Sequence, residues 1–188
     1  MSLRLYLDGC SLTFGHGLPR EQSLGALFST QGGYQVTDCS RPGKSNMAIA
    51  YDTYQHSDSH DVFVIGWTYA SRFHLKYQNQ DIDFFAGWHG QGMNVKDQNL
   101  DAASQEVYKY FYTVFGPPYS DNLSDMLVDT TMSNLSNRVS VGFAWENRNT
   151  RYPLLMPFIG PNHRLDDGHL SAEGTVYLYD LIQQALDV

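Results

Sequence analysis

Short apolar runs punctuated by glycine and proline set the rhythm of this chain. Leu3 to Leu7 is a largely apolar stretch that stops at Asp8-Gly9, the pattern of a buried strand feeding a turn. A glycine-broken loop, Phe14 to Pro19, leads to a helix expected over Glu21–Thr30 and ended by Gly32-Gly33. Tyr34–Asp38 reads as a second strand and Ser40–Gly43 as a turn. Ser45 to about His56 reads as a helix burying Met47, Ala48, Ile49 and Tyr51, capped by Ser45 or Asn46. In Asp61–Gly66 the apolar residues run without alternation, as in a parallel strand covered on both faces. Strand, helix, strand, helix, strand within 66 residues predicts one α/β domain. Its expected architecture is a three-layer α/β/α sandwich on a flavodoxin-like, doubly wound parallel sheet.

The pattern then loosens, and an aromatic and helical insertion is expected over about residues 74–137. Residues 74–99 are polar, aromatic and glycine-dotted, without sustained period. Ala102–Phe115 has helical spacing in Val107, Tyr110, Phe111 and Val114, and Pro117-Pro118 ends it. Ser120 to about Asn137 is a further helix with Leu123, Met126, Leu127 and Leu135 on its apolar side. Val139–Trp145 is a fourth strand, residues 146–165 a long loop, and Ser171–Leu186 the closing helix.

Length and charge narrow the choices. At 188 residues the chain fits a single domain spanning 1–188. A net charge of −8 argues against a nucleic-acid partner, whose phosphates demand a basic footprint. No stretch approaches 18 apolar residues, so no membrane span is expected. Met1 to Leu7 has no long apolar core or cleavage site, which points to a cytoplasmic protein. Two cysteines, Cys10 and Cys39, are too few for a disulfide scaffold and read as two buried thiols.

The residues that carry chemistry fall at the carboxyl ends of the expected strands, where open α/β sheets bind ligands. Strand one is followed by Asp8-Gly9-Cys10-Ser11-Leu12-Thr13 and strand two by Ser40-Arg41-Pro42-Gly43-Lys44-Ser45-Asn46. Strand three leads into Gly66-Trp67-Thr68-Tyr69, and Asp166-Asp167-Gly168-His169-Leu170-Ser171 precedes the last helix. Order and context resemble the sequence blocks of the SGNH/GDSL-like hydrolases across nearly the whole chain. Asp8 to Thr13 resembles the G-D-S-L block, Gly43 the oxyanion-hole glycine, and Asp166 to His169 the D-x-x-H block, with Gly174 downstream.

That resemblance implies a serine esterase or acylhydrolase working through an acyl-enzyme, with no metal or organic cofactor. Ser11 would be the nucleophile, His169 the base, and Asp166 the carboxylate that fixes the imidazole. The backbone N–H groups of Ser11 and Gly43 would face the oxyanion. The substrate class implied is a small-molecule or carbohydrate ester, with O-acetyl sugars preferred. Two departures stand out: Thr68 replaces the family's oxyanion-hole asparagine, and Cys10 replaces its aspartate. Asn46, Trp67 and Arg72 are candidate substrate-binding residues, and the aromatic stretch Phe73 to Trp88 is a candidate groove wall. His56 and His60, four apart, have metal-ligand spacing but no third partner nearby, and read as solvated residues at a helix end. The rival reading is a non-catalytic flavodoxin-like module that holds a sugar or nucleotide, with Ser11–Gly17 cradling a phosphate.

Overall fold

A computed structural model describes residues 2–70, 72–77, 80–85 and 119–187. In chain order it has β1 (Arg4–Gly9), α1 (Ser11–Phe14), α2 (Leu24–Thr30), β2 (Gln35–Asp38), α3 (Asn46–His56) and β3 (Val62–Trp67). There follow β4 (Arg72–Tyr77), β5 (Gln80–Phe85), α4 (Tyr119–Asn134), β6 (Val139–Ala144) and α5 (Ala172–Leu186). The main sheet is parallel in the order β2-β1-β3-β6.

Helices cover both faces of this sheet. On one face Leu5, Leu7, Val62, Val64 and Phe143 pack against Leu24, Leu27 and Phe28 of α2 and Leu178, Tyr179 and Ile182 of α5. On the other, Tyr6, Phe63, Ile65 and Trp67 meet Ile49 of α3 and Val128 and Met132 of α4. Alternation along each strand therefore feeds two cores at once, which is why β3 is buried at all six positions. Each large apolar side chain buried in this way contributes roughly 1.5–3 kcal/mol. The architecture is the expected α/β/α sandwich.

Local chemistry sets the helix boundaries. Ser23, Ser45 and Ser171 cap α2, α3 and α5, their hydroxyls accepting from the N–H of Ala26, Ala48 and Gly174. Residues expected to begin the second helix instead form a 3₁₀ turn, Arg20–Gln22, because Ser23 starts a fresh helix. Met47 and Tyr51 correct the expected burial, being 38% and 63% exposed, while α3 buries Asn46, Ala48, Ile49 and Thr53. The expected disorder of pattern after Thr68 hides a hairpin, since β4 and β5 pair antiparallel from Arg72–Phe85 to Tyr77–Gln80. The helix expected over Ala102–Phe115 and part of the expected insertion lie outside the described residues. Among the described residues no helix is long and apolar enough to cross a membrane.

Candidate active site

The strand order changes direction between β1 and β3, and the crevice of such a sheet opens at the carboxyl ends of that pair. There Gly9 and Gly66 lie opposite each other in register. Thr13, one turn into the segment after β1, lies across both glycines. A Cβ on Gly9 or Gly66 would stand 2.2 or 2.3 Å from Thr13 Oγ1, so neither position has room for a side chain. This close approach seats the one-turn helix α1 on the sheet, with Ser11 at its first position and 7% exposed. Ser11 Oγ has no hydrogen-bond partner among the described residues.

The end of β1 carries a buried charge network. Lys44 and Asp8 are both fully buried, and Lys44 Nζ donates to Asp8 Oδ1 and Oδ2 at 2.6 and 2.7 Å. The same ammonium donates to Cys39 O at 3.0 Å and pairs with Asp52 Oδ2 at 2.6 Å. Asp8 also accepts from Tyr6 Oη at 2.8 Å and from the Gly9 N–H at 2.7 Å. Burial pushes the Asp8 carboxyl up to about 6, against the opposing pull of Lys44. Tyr6 in turn stacks on His56, ring centroids 4.8 Å apart, with His60 packed beside both. His56 and His60 are thus part of the packing around Tyr6, not solvated residues at a helix end.

The second strand end joins this floor through the Arg41 N–H, which donates to Gly9 O. Gly43 follows with φ +80°, a left-handed conformation that favours glycine, and its N–H has no partner among the described residues. The third end is clamped from three sides. Asn46 Nδ2 donates to Thr68 O at 2.9 Å and to Ser124 Oγ at 3.1 Å, and its Oδ1 accepts from the Thr68 N–H at 2.8 Å. Arg148 also donates to Thr68 O and pairs with Glu146 at 2.7 Å, while Glu146 accepts from the Ala70 N–H.

The last loop is a tight hairpin stem. The Ser171 N–H donates to His163 O, Arg164 bridges Leu170, and the Leu165 N–H donates to His169 O at 2.7 Å. A turn over Leu165–Gly168 closes it, with Gly168 at φ +86°. Asp167 Oδ1 accepts from the His169 N–H at 3.0 Å, and its Oδ2 stands 3.1 Å from His169 Nδ1. These bonds hold the Asp167 carboxyl below the usual range. His169 reaches the Ser11 side of the crevice through His16, whose ring centroid lies 4.7 Å from its own. The His16 N–H donates to Ser11 O at 3.0 Å, and Leu165 sits directly over Gly17.

No family model and no curated protein matches this sequence. Solved structures do match. The psychrotrophic esterase EstA from Pseudoalteromonas sp., inhibited by monoethylphosphonate, is similar over 100% of both chains at 11% identity and TM-score 0.56. TesA is similar over 97% of both chains at 13% identity and TM-score 0.49. A protein of the lipolytic G-D-S-L family from Desulfitobacterium hafniense DCB-2 covers 98% of this chain and 99% of its own at 12% identity and TM-score 0.45. The chain shares the fold of EstA.

Within this fold the expected residues are distributed unevenly. Ser11, Gly43 and Thr68 follow three neighbouring strands, and His169 on the last loop packs its ring against His16. Asp166 and Asp167 are both exposed in the turn, and the carboxylate in contact with His169 is that of Asp167. Trp67 is fully buried in the core against α3 and α4, because alternation along β3 turns it away from the crevice. Asn46 is 1% exposed and its amide is fully engaged in holding the Thr68 backbone. Neither therefore stands open to a substrate. Thr68 is itself 1% exposed, and its Oγ1 has no partner among the described residues. Arg72 lies over the Tyr69 ring, 5.6 Å from its centroid. Sequence reasoning missed Asp8, Lys44, His16, Asp167, Ser124, Glu146 and Arg148. Only the polar Asp8 at the end of an apolar strand offered a local signal for any of them.

Proposed function

We propose that the chain is a serine ester hydrolase in which Ser11 attacks the ester carbonyl and His169 serves as general base and then general acid. His169 takes the Ser11 hydroxyl proton as the acyl bond forms, and returns it to the departing alkoxide. A water then repeats the sequence in reverse, releasing the acid and restoring Ser11. Asp167 is the carboxylate assigned to His169, holding its tautomer and stabilising the imidazolium. The N–H groups of Ser11 and Gly43 receive the oxyanion. Thr68 is no equal substitute for an asparagine there, and losing one donor typically costs about 10²–10³ in rate. The substrate is a short acyl ester, with O-acetylated carbohydrate as the preferred class.

The observation that supports this reading is the meeting of two loops: His16, whose N–H donates to Ser11 O, lies ring against ring with His169. The esterase activity named for EstA, which shares the fold, is consistent with it. Hydrolysis of short-chain nitrophenyl esters tests it, together with labelling by a fluorophosphonate. Ser11→Ala is expected to lower kcat by roughly 10⁴-fold or more. Undiminished hydrolysis by that variant, or a probe adduct on another residue, sinks the reading.

A further inference from the structure

We propose that His16, Asp167 and His169 form a site for one divalent transition-metal ion of the zinc type, and that the ion inhibits by occupying the His169 imidazole. Each residue offers one ligand atom, and the three atoms lie within 4.8 Å of one another. Two imidazoles and a carboxylate are a donor set suited to zinc, which binds three protein ligands and leaves a fourth position to water. With bonds of about 2.0–2.1 Å, tetrahedral ligand atoms stand roughly 3.3 Å apart, so the cluster needs to contract by up to about 1.5 Å.

The two loops can supply that contraction. His16 is exposed and lies between Gly15 and Gly17, both at positive φ, outside any regular element. Asp167 and His169 come from a single turn and are already 3.1 Å apart. The whole chain carries a net charge of −8, which raises the local concentration of cations. The neighbouring positive group, Arg164, is tied back to Gly168 O at 2.6 Å.

Metal binding is independent of the proposed hydrolase activity; only the inhibition rests on it. Tag-free protein is titrated with Zn²⁺ by calorimetry and with Co²⁺ by visible absorption, and ester hydrolysis is followed in parallel. The expected result is one ion per chain with a tetrahedral cobalt spectrum. Activity falls with the same midpoint and returns on adding EDTA. His16→Gln, at an exposed position, keeps thermal stability but weakens Zn²⁺ binding roughly tenfold or more. Unchanged Zn²⁺ affinity in His16→Gln, or no stoichiometric binding, overturns the inference while leaving the hydrolase reading intact. Specific binding in a protein that hydrolyses no ester upholds the site and fails the hydrolase reading instead.

Discussion

At the end of β1, Lys44 and Asp8 are fully buried and each is gripped by several partners, whereas on the last loop the Asp167 side chain is 54% exposed and His169 24%. The two regions answer different demands. A charge removed from water must be matched closely by its neighbours, so the floor tolerates little change. A base that exchanges protons with substrate has to remain accessible, and a short hairpin stem is enough to hold it. The polar groups that fix the scaffold are thus the ones no substrate touches.

The largest test of this contrast is Lys44→Met, which leaves Asp8 facing Tyr6 and Asp52 without a cation. It is expected to destabilise the fold by about 3–5 kcal/mol in urea unfolding. A loss below about 1 kcal/mol would show the floor to be as forgiving as the rim. Next in size, Asp167→Asn is expected to lower kcat by roughly 10²-fold or more with the fold preserved, and Asp166→Asn to change it only a few-fold. The reverse order would return the carboxylate role to the D-x-x-H position.

Gly66→Ala probes the contact between Thr13 and the strand ends. Overpacking there is expected to cost about 1–3 kcal/mol by thermal or urea denaturation. A neutral result would mean that α1 can lift from the sheet. The smallest effect is a pH slope. Asp8 binds its proton more tightly when folded, at about 6 against an ordinary 3.8. Between about pH 4 and 6 the folded state therefore holds more protons than the unfolded one. Stability from this group falls as pH rises through that window, by at most ~1.4 kcal/mol per pH unit, and levels off above it. Asp8→Asn should flatten that segment of the profile.

Local pattern carried most of the fold, because apolar runs, serine caps and glycine stops act within a few residues of themselves. Ser45 and Ser171 could be read as helix starts without any tertiary knowledge. The hairpin β4–β5 was hidden because, although Arg72–Tyr77 alternates polar and apolar residues, no glycine or proline marks a turn before Gln80. At the site, Ser11, Gly43 and His169 were legible as residues following strand ends or preceding a helix. Trp67 was not, since an unbroken apolar run does not say which face each residue takes. The pairing of Lys44 with Asp8 spans 36 positions, and nothing local announces it. The choice between Asp166 and Asp167 depends on a turn whose geometry rests on Gly168, which spacing alone does not encode.

The close contact of Gly174 with the His163 carbonyl has a mechanical meaning. A Cβ at 174 would stand 2.2 Å from that oxygen, and the Ser171 N–H donates to the same atom. The hairpin bearing His169 is therefore fastened to the first turn of α5, while Ser11 is fastened to the sheet. Because α5 packs Leu178, Tyr179 and Ile182 into the core of that same sheet, both fastenings rest on one support.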